Sequence, residues 1–171
     1  YNIWTLFGQN WAEQTKHFMG ITYQTWGTIF IILIVAAATW LHFRAKNNPA
    51  RYYFVGAFIV TGMFLLSVRM HERYVYPAII MLLFAFAMRP KREIAYLFTG
   101  LSGMAFFNMA HVEFVYDLNN FNAKEPVTLA IAAGMVIVFG YMVYVALTCF
   151  NGYLSEGEIA RTSTGRTAQA G

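Results

Sequence analysis

The sequence predicts an all-α, polytopic membrane protein with about five transmembrane helices and an aromatic outer N-terminal segment. Three observations predict it. The chain is 58% hydrophobic and only 12% charged, where a soluble domain carries about 25% charged residues. Aromatics reach 18%, as expected where Trp and Tyr collect at a lipid–water boundary. The apolar runs are also continuous rather than alternating, which favours helices over the strands of a membrane barrel.

Each element follows from that frame. Crossing a hydrocarbon core of about 30 Å takes about 20 apolar residues as helix. Runs that meet or approach this length lie at 26–43, 52–68, 74–88, 94–112 and 127–154. Asn47-Asn48-Pro49 breaks the chain between the first two runs, and Arg89-Pro90-Lys91 between the third and fourth. Glu125-Pro126 opens the fifth, with proline where a missing N–H costs little. Residues 1–25 hold too many aromatics for a solvated loop and are expected at the membrane surface or folded over the helix ends. The tail, 155–171, is rich in Ser, Thr, Gly and Ala and reads as a cytoplasmic extension. The chain opens at Tyr1 without a signal-peptide pattern, so a processed product or a piece of a longer protein is expected. The single cysteine, Cys149, lies in an apolar run and reads as a packing residue.

Lys and Arg set the orientation. Arg44, Lys46, Arg51, Arg89, Lys91, Arg92, Arg161 and Arg166 fall on one side; Lys16, Arg69, Arg73 and Lys124 fall on the other. The richer side should face the cytoplasm. The N-terminal segment and the 69–73 cluster should then face outside a multi-pass, prokaryotic-type cell membrane, with the C-terminus cytoplasmic. The net charge of +4 therefore reads as topology rather than as affinity for nucleic acid, which is not an expected partner. As helix, residues 52–88 extend about 55 Å, whereas two crossings need about 60 Å. The turn between them should sit at or just below the outer headgroups.

That turn holds Arg69-Met70-His71-Glu72-Arg73. Charges beside a bilayer need a partner that offsets desolvation. If the helix continues through residue 73, Arg69 and Arg73 share a face and present two guanidinium forks to a phosphate. Glu72 could hold Arg69, and His71 could donate to a phosphate or a sugar hydroxyl. A self-contained Arg69–Glu72 ion pair, with Arg73 snorkelling to lipid, is the alternative. Asn108 and His111 share a helix face and are cavity-lining candidates, with a helix-packing hydrogen bond the other role for Asn108. Trp4 and Trp11 are candidates to stack on sugars above the site or to anchor at the interface. No metal, cofactor, Gly-rich phosphate loop or Ser/His/Asp set is indicated, and no complete catalytic set can be assembled.

Met70-His71-Glu72-Arg73-Tyr74-Val75-Tyr76-Pro77 resembles the Met-His-Glu-Arg-Tyr-x-x-Pro signature of bacterial and archaeal GT-C membrane glycosyltransferases, relatives of the protein O-mannosyltransferases. It is also similar to the His-Glu-Lys motif of lumenal enzymes that use dolichyl-phosphate-glucose. The stretch from Asn2 to Trp11, with Tyr23, Trp26 and Gly27, matches the outer loop that precedes this region, and Phe107-Asn108-Met109-Ala110 the helix that follows it. The resemblance covers nearly all of this chain but only the C-terminal part of such an enzyme. It implies a polyprenyl-phosphate-sugar donor, with His71, Glu72 and Arg73 beside the lipid phosphate. It also implies a catalytic acidic residue in an earlier outer loop that has no counterpart here.

The expected function is thus the C-terminal portion of a polyprenyl-phosphate-dependent glycosyltransferase. It would be inactive alone and would need an N-terminal half or other membrane subunits. Two rivals remain: a non-catalytic subunit or scaffold that binds lipid headgroups or a partner protein, and a fragment of a transporter for lipid-linked anions.

Overall fold

The structure is a computed structural model, and it describes residues 1–9, 13–68, 70–114 and 125–150. Helix makes up 78% of it, which establishes the all-α class. The helices are α1 (Ile3–Leu6), α2 (Tyr23–Arg44), α3 (Arg51–Leu66), α4 (Tyr76–Met88), α5 (Arg92–Phe114) and α6 (Pro126–Cys149). A small antiparallel hairpin, β1 (His17–Phe18) and β2 (Ile21–Thr22), stands between α1 and α2. Its turn holds Met19 at φ 52° and Gly20 at φ 90°. Both are left-handed, as a two-residue hairpin requires; glycine adopts this freely and methionine at a cost.

Local chemistry sets several helix starts. The Thr22 hydroxyl accepts the Thr25 N–H and starts α2. Pro77 lies in the first turn of α4, and Pro126 opens α6, positions where no helix bond is lost. Consecutive long helices run antiparallel, and α3 is central, packed against α2, α4 and α6. On α3, Phe54 stacks on Phe150 at 4.1 Å between ring centroids, with both rings fully buried. A Cβ on Gly62 would sit 3.2 Å from the Ile34 side chain of α2, so a larger residue there would force that side chain to shift by a few tenths of an ångström.

The α2–α3 and α4–α5 turns meet the end of α6 at one end of the bundle. Arg44 donates to the Leu147 carbonyl, and Arg89 to the Cys149 carbonyl. Cations from two other helices thus satisfy the last carbonyls of α6. At the opposite end lie the α3–α4 turn, α1 and the hairpin.

Helix length differs in a way that shapes this second end. At about 1.5 Å per residue, α2, α5 and α6 are about 33–36 Å long, whereas α3 and α4 reach only about 24 and 20 Å. The helical parts of α3 and α4 therefore stop short of their neighbours' length, and α1 packs against α6 and the end of α3.

Among the described residues, two helices, α2 and α6, are long and apolar enough to cross a membrane, fewer than the roughly five expected. The others fall short for visible reasons. α3 has 16 residues and α4 has 13. α5 is long enough, but Glu93, Ser102, Asn108 and His111 lower its hydropathy.

Several boundaries also differ from expectation. The run at 52–68 is helical only to Leu66, and Ser67 is already extended. The continuous helix that would have put Arg69 and Arg73 on one face does not form, and a 3-10 turn (Glu72–Val75) leads into α4 instead. The run at 127–154 leaves the helix after Cys149; Cys149 itself is buried. Arg69, Trp11, Lys124 and the tail 155–171 lie outside the described residues.

The buried Phe54–Phe150 stack generates a prediction. Phe54→Ala should destabilise the chain by about 3–5 kcal/mol, and Phe54→Leu by less, measured by thermal unfolding in detergent. Equal and small effects would mean that the stack contributes little.

Candidate functional site

The candidate site is built on the α3–α4 apex. After Ser67 the chain is extended again at His71, and the Tyr74 N–H donates to the His71 carbonyl at 3.0 Å, which starts the 3-10 turn. Val75 is fully buried and pins this turn to the bundle. His71, Arg73 and Tyr74 are exposed, while Glu72 is half-buried. The imidazole of His71 stands edge-on to the Tyr74 ring at 5.6 Å. Among the described residues, the apex therefore presents the Arg73 and His71 side chains outward from a fixed backbone turn.

The N-terminal segment covers the neighbouring ground. Asn2 caps α1 by accepting the Trp4 N–H, and the Thr5 hydroxyl accepts the Asn2 N–H in return. The two side chains that reach α3 serve its C-terminal carbonyls: Trp4 Nε1 donates to Leu66 O at 3.1 Å, and Asn2 Nδ2 to Ser67 O at 3.2 Å. Trp4 is buried, edge-on to Phe18 and Tyr23. Its ring is thus a packing element, and no face is open for a sugar to stack on.

Asn108 and His111 also prove to be occupied. The Tyr1 nitrogen donates to Asn108 Oδ1 at 2.6 Å, and Asn108 Nδ2 donates back to Tyr1 O at 3.0 Å. The Tyr1 hydroxyl meets His111 Nδ1 at 2.9 Å. His111 Nε2 faces Glu125 Oε2 at 3.6 Å, beyond hydrogen-bond range. Tyr1 therefore fills the space that these two residues were expected to line, and Asn108 bonds to the N-terminal residue rather than to a neighbouring helix. Burial pushes the Tyr1 amine down from 8.0 to about 6, with the Glu72 carboxylate opposing that shift.

Tyr1, Asn2 and Glu125 were not foreseen as members of this cluster. The Asn2-x-x-Thr5 spacing carried a capping signal; nothing in the sequence linked Tyr1 to α5. Among the described residues, no three His, Cys, Asp or Glu side chains stand close enough to hold a metal. Comparison with family models, curated proteins and solved structures finds no match for the chain.

Two predictions follow from the N-terminal dock. Asn108→Leu removes both bonds to Tyr1 and should cost about 1–3 kcal/mol, seen as faster proteolysis within residues 1–22 and red-shifted tryptophan emission. The second concerns pH. In the 171-residue chain prepared with a free amine at Tyr1, the folded amine has a lower pKa than the unfolded one, so the unfolded chain binds more protons between them. Stability should therefore be complete above pH ~8 and fall by about 2–3 kcal/mol as pH drops to ~6. Melting curves of the 171-residue chain across this range check it. Acetylating the Tyr1 amine should remove the amine's share of the pH dependence.

Proposed function

We propose that the chain is the motif-bearing C-terminal portion of a GT-C glycosyltransferase, whose α3–α4 apex binds the phosphate of a polyprenyl-phosphate-linked sugar at the outer membrane face. The observation that carries this reading is the exposed His71–Arg73 pair on a pinned turn between the two shortest of the long helices. A lipid phosphate arriving along the helices would meet a fork donor and an imidazole at headgroup depth.

Membrane embedding of all five long helices is part of this proposal. Only 22% of the apolar window of α2 is buried inside the bundle, and 33% of that of α6. A helix in the core of a soluble protein would be mostly covered. Their outward side chains are Ile32, Leu33 and Ile137, and α4 adds Ile80, Leu83 and Phe84. Trp40, Tyr52, Tyr53, Tyr96 and Tyr144 are exposed near the basic end, as an interfacial girdle would be. Arg44 and Arg51 lie over Trp40 and Tyr52.

In the proposed reaction, an acceptor oxygen attacks the anomeric carbon, the glycosidic bond forms, and the carbon–oxygen bond to the lipid phosphate breaks. Arg73 and His71 stabilise the charge left on the departing phosphate. The acceptor proton passes to a base on a preceding segment of the enzyme, because no residue here is assigned that role. A lipid-headgroup-binding subunit is the second reading, favoured by the closed Tyr1–Asn108–His111 network.

Binding of a polyprenyl phosphate to the chain in detergent tests the proposal. Arg73→Ala should weaken it by roughly tenfold, more than loss of an exposed ion pair would. Unchanged affinity in a folded variant would remove the apex from the phosphate site.

A further inference from the structure

The α2–α3 turn, at the opposite end of the bundle, holds two buried donors that have no acceptor among the described residues: Asn48 Nδ2 and Arg51 Nε. A buried, unpaired donor is costly, and here two stand three residues apart at the start of one helix. Asn48 is 4% exposed, and its Oδ1 accepts the Ala50 N–H at 3.0 Å, which turns the carboxamide onto the first turn of α3. α3 begins there without a side-chain N-cap bond, and with the Arg51 N–H taken by the Asn48 carbonyl, the first turn has the Tyr52 and Tyr53 N–H groups to offer. The Arg51 guanidinium is held in place: it lies 4.6 Å over the Tyr52 ring, and its Nη2 donates to the Tyr52 hydroxyl at 2.6 Å. Lys46 is exposed two residues before Asn48. Every one of these groups is a donor or a positive charge, and a helix N-terminus adds positive potential.

We infer that the start of α3 is a binding site for the phosphodiester headgroup of an acidic phospholipid, with Asn48, Arg51 and Lys46 as its polar contacts. A lipid fits better than a soluble anion because of what adjoins the turn. Tyr52 and Tyr53 are exposed on the next turn, and Trp40 and Phe43 are exposed at the end of α2. Acyl chains below the headgroup would lie along those side chains. The site rests on the bundle being membrane-embedded, and it is independent of sugar transfer.

The test uses the 171-residue chain in phosphatidylcholine vesicles containing spin-labelled phosphatidylglycerol or spin-labelled phosphatidylcholine. The fraction of label immobilised at the protein gives the selectivity for the acidic lipid. Asn48→Asp, Arg51→Gln and Arg92→Gln each change the net charge by the same amount, and Asn48→Asp keeps an acceptor for the Ala50 N–H. Asn48→Asp and Arg51→Gln should lower selectivity roughly tenfold, and Arg92→Gln, on the exposed start of α5, less than twofold. Equal losses in all three variants, at unchanged helix content, would reduce the site to diffuse attraction by a basic surface and overturn it. Displacement of the label by inorganic phosphate but not by chloride of equal ionic strength would overturn the lipid assignment. A chain that does not float with vesicles fails the membrane reading itself, whereas one that floats without lipid selectivity fails only this inference.

Discussion

A helix that stops short leaves its last carbonyls without partners, and α3 stops about 10 Å short of its long neighbours at ~1.5 Å per residue. Much of the arrangement at that end answers this constraint. Trp4 and Asn2 bring donors to Leu66 and Ser67. To reach them, α1 must lie against the end of α3, and the aromatic cluster of Trp4, Phe18 and Tyr23 then has to form beneath the hairpin. With α1 fixed, Tyr1 falls beside Asn108 and His111. The exposed turn bearing His71 and Arg73 is consequently framed on one side by a folded segment rather than by open solvent.

Much of the helix pattern was legible in the sequence because its signals are local. Pro126 and the Asn47-Asn48-Pro49 and Arg89-Pro90-Lys91 breaks act within a few residues of the ends they set, whereas the expected runs from 26 and 74 took no account of the Thr22 cap and Pro77. The premature end of α3 was not legible. Its apolar run continues to Val68 with no breaker, and the groups that take over its carbonyls come from residues more than 60 positions earlier. The two-arginine face rested on a continuous helix through Arg73, and that helix ends at Leu66, where Trp4 and Asn2 bring donors to the Leu66 and Ser67 carbonyls. Asn108 and His111 were recognisable as polar residues on a shared face. That Tyr1 would fill the space between them depends on contacts spanning 107 and 110 residues, which no periodicity reports.

The two ends of the bundle differ in how their cations are used. At the basic end Arg44, Arg51 and Arg89 are fixed by ring faces, a hydroxyl and backbone carbonyls. At the apex Arg73 projects from a 3-10 turn whose only fully buried residue is Val75. Fixed guanidinium groups suit a resident headgroup, and a projecting one suits a ligand that arrives and leaves.

The stitching of α6 by Arg44 and Arg89 has a further consequence for motion. The last turn of α6 is tied to the α2 and α4 termini and closed by the buried Phe150 ring, so fraying there requires several contacts to break together. At the other end, α1 is four residues long and depends on a handful of hydrogen bonds. Local opening should therefore be graded along the bundle axis, with slow amide exchange near Cys149 and fast exchange in the α1 segment. Such a gradient leaves one end of the molecule free to open while the other holds the helices in register.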